Sequence, residues 1–81
     1  MKRIIKGYEK FKAKSGNMCC AIFCESEFQK RDGVEQVGTK YETVMCFEDA
    51  SVINEKAVGH ELAGYFGYNK GTVVVQAPCV L

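Results

Sequence analysis

At 81 residues, 47% apolar and 26% charged, the chain has the length of one domain (1–81) with a single thin core, and its composition excludes wholesale disorder. It contains no run of about 18 apolar residues, which excludes a membrane-spanning helix, and no apolar h-region opens it, so a cytoplasmic protein is expected. The net charge of +1 hides an asymmetry: residues 1–18 hold six basic side chains against Glu9 alone, a net +5, while the other 63 residues hold five against nine acids, a net −4.

Five strands are predicted in chain order. RIIKGYEKFK (3–12) is aromatic and interrupted by Gly7, and a glycine inside a strand marks a bulge, a bend or a close approach. Lys14-Ser15-Gly16-Asn17 has hairpin chemistry and leads into MCCAIFCE (18–25), an apolar second strand. SEFQKRDGVEQVGTK (26–40) is polar, of mixed charge and too long for a tight turn, so it is expected to project as a loop or arm. YETVMCF (41–47) is the third strand. EDASVINEKAV (48–58) predicts one or two helical turns, capped by Asp49 or Ser51, facing Ala50, Val52, Ile53 and Ala57 inward and ending at Gly59. HELAGYFGY (60–68), the turn Asn69-Lys70-Gly71 and TVVVQA (72–77) form a second hairpin, with Pro78 expected to stop the ladder. This order, with its helical insertion between strands three and four, predicts an all-β fold. A small five-stranded OB-like barrel is expected, with an SH3-like barrel as the alternative.

Strand alternation would align Lys2, Ile4, Lys6, Tyr8, Lys10, Lys12 and Lys14 on one face, a row of ammonium groups about 7 Å apart around a tyrosine. Lysines that track phosphates and rings that stack on bases are what a single strand needs from a groove that does not read its sequence. Phe11 joins the row if Gly7 shifts the alternation. Two further pairings of ring and cation stand elsewhere: Phe28 with Lys30 and Arg31 in the long loop, and Tyr68 with Lys70 at the second turn. The bland alternatives are lysines that protect an edge strand and tyrosines that pack on neighbours. In the Tyr65-Phe66-Gly67-Tyr68 cluster at least one ring belongs to the core.

Catalytic chemistry has little support. Five cysteines are an odd number, Cys19 and Cys20 are adjacent, and no CxxC or HxxxH spacing occurs, so buried thiols are expected in place of disulfides or a metal site. His60 lacks the orienter and oxyanion donors of a nucleophile–base pair. The acids Glu25, Glu27, Glu42 and Glu48 read as surface groups, and neither a P-loop nor GxGxxG appears. No enzyme activity and no cofactor is expected.

KGYEKFKAKSGNMCCAIFCE and VGHELAGYFGYNKGTVVV resemble the opening strands and the final hairpin of small OB-fold single-stranded-DNA-binding proteins of phages and conjugative elements, relatives of the filamentous-phage helix-destabilising protein. That resemblance implies a homodimeric barrel that coats single-stranded DNA, or RNA, during phage or mobile-element replication, with little base preference. By position it implies contacts from Lys6, Tyr8, Lys10, Phe11, Lys12, Lys14, Phe28, Lys30, Arg31, Tyr68 and Lys70. The low total charge departs from this pattern. A β-barrel adaptor that binds protein and no nucleic acid is the alternative function.

Overall fold

The computed structural model describes residues 2–81 and consists of five strands and two short 3-10 turns. β1 (Arg3–Lys12), β2 (Met18–Ser26) and β3 (Lys40–Cys46) form an antiparallel meander. β4 (Leu62–Asn69) pairs antiparallel with β5 (Thr72–Val80), and β5 lies parallel to β3, giving the sheet order β1-β2-β3-β5-β4. A bridge between Ile4 and Glu61, with Ile5 N–H donating to the His60 carbonyl at 2.9 Å, then returns β4 to β1. Because β3 meets β5 in parallel and closure is by one short contact, this is the partly open OB-like barrel and not an antiparallel SH3-like one.

Both hairpin turns follow from their residues. Lys70 (φ 52°) and Gly71 (φ 82°) form a two-residue loop with both φ positive, the geometry whose twist matches the flanking strands. Gly71 supplies the positive φ that the second position of that turn favours. Ala13–Asn17 closes the first hairpin, with Gly16 N–H donating to the Ala13 carbonyl at 2.9 Å.

Two elements differ from expectation. The segment between β3 and β4 is two 3-10 turns, Ala50–Val52 and Glu55–Ala57, and not an α-helical stretch. Its cap is Asn54, whose side chain accepts from Lys56 N–H at 2.9 Å; Asp49 makes no capping bond. Ala50, Ile53 and Ala57 are buried as expected, whereas Val52 is exposed because a 3-10 turn advances three residues per turn and carries it round to solvent. β5 also runs on through Pro78 to Val80. Ala77 and Pro78 together oppose Gly64, a bulge in which the absent proline N–H removes no ladder bond.

The core lies on the inner side of the barrel: Ile5, Ile22, Val44, Ile53, Leu62 and Val75 with Cys20, Cys24 and Cys46. Each fully buried aliphatic side chain contributes about 1.5–3 kcal/mol. The expected buried thiols are there, with Cys19 as the fourth; Cys79 is exposed and all five are free.

Candidate nucleic-acid interface

β1 does not present its even-numbered residues as one row. Ile5 pairs with Cys24 and Gly7 with Phe23, so Lys6 is the extra residue of a β-bulge, and the residues beyond a bulge are turned over relative to those before it. Side chains directly opposite across an antiparallel pair project to the same side. Tyr8, Lys10 and Lys12 therefore share the inner side with Ile22, Cys20 and Met18, while Gly7, Glu9 and Phe11 share the outer side with Phe23, Ala21 and Cys19. The expected row is divided at Gly7, and Phe11 lands on the opposite face from Tyr8.

The division sorts the basic residues. Lys6 pairs with Glu25 at 3.3 Å. Arg3 is buried, ion-paired with Glu42, and its guanidinium carbon lies 4.0 Å from the centre of the Phe66 ring. Arg3 is thus withdrawn from the surface field, and Glu42 is not the surface acid that the sequence implies. Tyr8 is half-buried against the core, with Lys10 Nζ 5.7 Å from its ring centre, so its inner face serves packing. Lys10, Lys12 and Lys14 remain exposed on the first hairpin without a carboxylate partner among the described residues.

The outer face carries a second apolar surface. Cys19 and Ala21 are only 3% and 7% exposed yet lie outside the core cluster. Pairing sets Phe11 opposite Cys19 and Met45 opposite Ala21, with Phe23 next along β2. Phe11, Phe23, Tyr41, Phe47 and Tyr65 are all exposed. Phe23, Tyr41, Phe47 and Tyr65 are the candidates that the sequence reading passed over. Their signal was present in MCCAIFCE, where Cys19, Ala21 and Phe23 alternate with Cys20, Ile22 and Cys24: both sides of that strand are apolar, and a thin barrel needs only one.

The remaining candidates stand at the other end of the sheet. Phe28, Lys30 and Arg31 are exposed in the loop of residues 27–39, which leaves β2 where Ser26 pairs with Lys40. Phe28 and Arg31 line a shallow hollow with Gln36 and Lys40, and Gln36 Nε2 donates to the Gln29 carbonyl at 2.8 Å, folding the loop on itself. Tyr68 is exposed beside Lys70 at the second turn. The first hairpin and this end are joined by the aromatic outer face. A groove of about 380 Å³ lies at the margin of that face between Phe47 and Tyr65.

Burial pushes the Cys20, Cys24 and Cys46 thiols up, Cys24 to about 11 with the Glu42 carboxylate adding to the effect. Among the described residues no three His, Cys, Asp or Glu side chains converge as a metal site would require. His60 is exposed, with Nδ1 3.0 Å from the Leu81 carbonyl oxygen. Comparison with family models, with curated proteins and with solved structures finds no match to this chain.

Proposed function

We propose that the protein is a noncatalytic binder of single-stranded nucleic acid, held by lysine contacts to phosphate and by stacking on exposed rings. The supporting observation is the outer face of the barrel, where Phe11 and Phe23 are exposed on a hairpin whose Lys10 and Lys12 project from its other side and whose turn carries Lys14. In OB-like barrels the strand 2–3 face and the loops around it are the usual seat of an oligonucleotide. Unpaired bases expose both of their flat faces, and each stacked base contributes about 1–3 kcal/mol. Duplex DNA has its bases already stacked and offers only the phosphate term.

Fluorescence anisotropy with labelled oligo-dT tests this reading. Binding is expected to weaken steeply with salt and to compete poorly with duplex. Replacing Lys10, Lys12 and Lys14 by Glu should flatten the salt dependence, by about 0.7 in log–log slope for each lost phosphate contact. Phe11→Ala or Phe23→Ala should instead weaken binding about equally at every salt concentration, and Tyr8→Ala should act chiefly on stability. Absence of binding at low salt would exclude the proposal and leave the outer face to a protein partner.

A further inference from the structure

We propose that the groove between Phe47 and Tyr65 is a base-reading subsite that takes one unpaired guanine. This inference rests on the single-strand reading above and adds to it a preference that sequence-independent coating would not have. Phe47 and Tyr65 flank the groove at 45% and 76% exposure, and Val74 and Gly67, paired across β4 and β5, form its floor. A Cβ at Gly67 would meet nothing within 4 Å, so no side chain rises from the middle of that floor. Two rings over a flat apolar floor suit a planar heterocycle better than a branched aliphatic group.

The polar groups around the groove narrow the choice. Glu48, Asn69 and Gln76 line it, and it has no lysine or arginine. A phosphate is therefore repelled, and the favoured ligand edge offers hydrogen-bond donors. Glu48 makes no ion pair among the described residues, which leaves its carboxylate free to accept. Guanine presents N1–H and the N2 amino group side by side, a two-donor edge that matches the two oxygens of a carboxylate. Its neighbouring O6 accepts, and the amide N–H groups of Gln76 or Asn69 supply the donor. Adenine and cytosine each set a ring nitrogen acceptor beside their amino group, and thymine flanks its single N–H with two carbonyls. Each of these turns a lone pair towards Glu48.

The test uses the full chain and oligo-dT of about 15 nucleotides with one central dG, dA, dC or deoxyinosine. A central dG is expected to tighten binding about fivefold to tenfold over dT, as a bidentate base contact does. Deoxyinosine, which lacks the N2 amino group, should fall back towards dT. Glu48→Gln should abolish the dG preference, read as the ratio of dG to dT affinity measured on the same variant. Gly67→Val should also abolish the dG preference by filling the slot, at a position where a Cβ meets nothing within 4 Å. Equal binding of all central bases, or a dG preference that survives Glu48→Gln, overturns the subsite while leaving single-strand binding intact. Should oligo-dT not bind at all, the parent reading fails and the subsite is decided by titrating guanosine, which carries no phosphate, and following the Gly67 and Val74 amide resonances. Shifts lost in Gly67→Val uphold it, and unmoved resonances at millimolar guanosine sink it.

Discussion

The two hairpins of the barrel share a plan and differ in content. The β1–β2 hairpin carries Lys10, Lys12 and Lys14 around its turn, whereas β4, LAGYFGYN, has no charged residue and the β4–β5 turn has only Lys70. For the single strand proposed above, long-range attraction would thus come from one hairpin, and aromatic contact from the exposed rings of both hairpins and of the face between them. Charge acts over about a Debye length, roughly 8–10 Å at moderate salt, and rings act only on contact. Separating the two lets them be perturbed independently.

The largest effect is expected at the bulge glycine of the second hairpin, and almost none at that of the first. At Gly64 (φ 145°) a Cβ would lie 2.8 Å from Val75 Cγ2 and 2.9 Å from the Gln76 carbonyl oxygen. The obstruction includes backbone and cannot swing aside. Gly64→Val should destabilise the protein by about 3 kcal/mol or more, adding overpacking to backbone strain. At Gly7 the nearest atom is the Phe23 ring at 3.8 Å, an ordinary contact, and φ is not positive. Gly7→Ala should shift stability by less than about 1 kcal/mol in either direction. Urea denaturation of both variants reads the contrast directly, and equal losses would mean that the two bulges are held alike.

Next in size is the tie between the hairpins. Arg3 of β1 pairs with Glu42 of β3 and lies over Phe66 of β4, with side chains about 10% and 15% exposed for the ion pair. Glu42→Ala leaves a buried guanidinium uncompensated, which costs about 3–5 kcal/mol. Replacing the pair together, Arg3→Met with Glu42→Leu, should recover most of that loss, since the desolvation of both charges is relieved. A double variant no more stable than Glu42→Ala would show that the guanidinium stacked on Phe66 matters by itself.

Local chemistry in the chain announced most of this fold. β1 was bounded by its residues alone, and the hairpin turns were written in Ser15-Gly16 and Lys70-Gly71, because positive φ restricts which residues fit. What stayed hidden depends on register. Gly7 signalled irregularity, but only pairing with β2 shows that Lys6 is the extra residue and that Tyr8 turns to the same side as Ile5. Pro78 read as a stop because its lack of an N–H is local, while the opposing Gly64 that makes it harmless is 14 positions away. Arg3 counted as surface charge for the same reason: its partner Glu42 is 39 residues distant. A long-range pair leaves no periodic trace.

The smallest effect concerns the thiols, which report how closed each hairpin is at its base. Cys24, at the base of the first hairpin, is buried, as are Cys19 and Cys20 near its turn and Cys46 on β3, whereas Cys79 on β5 is exposed. A thiolate is the reactive species, so thiols held neutral by burial are slow to alkylate. Iodoacetamide at neutral pH should modify one site in the native protein, Cys79, and all five after denaturation. The same burial sets an alkaline limit. In the unfolded chain Cys24 loses its proton near the ordinary value of 9.0, while in the fold it holds that proton to about 11. The folded state then binds more protons than the unfolded state, so stability is whole below pH 9 and falls as pH rises towards 11. Cys20 and Cys46 shift in the same direction and add to the slope. Thermal melts between pH 8 and pH 11 should show this decline, and Cys24→Ala should flatten it while lowering stability at neutral pH. A wild-type melt that stayed level across that range would mean that the base of the first hairpin admits water and is as open as β5.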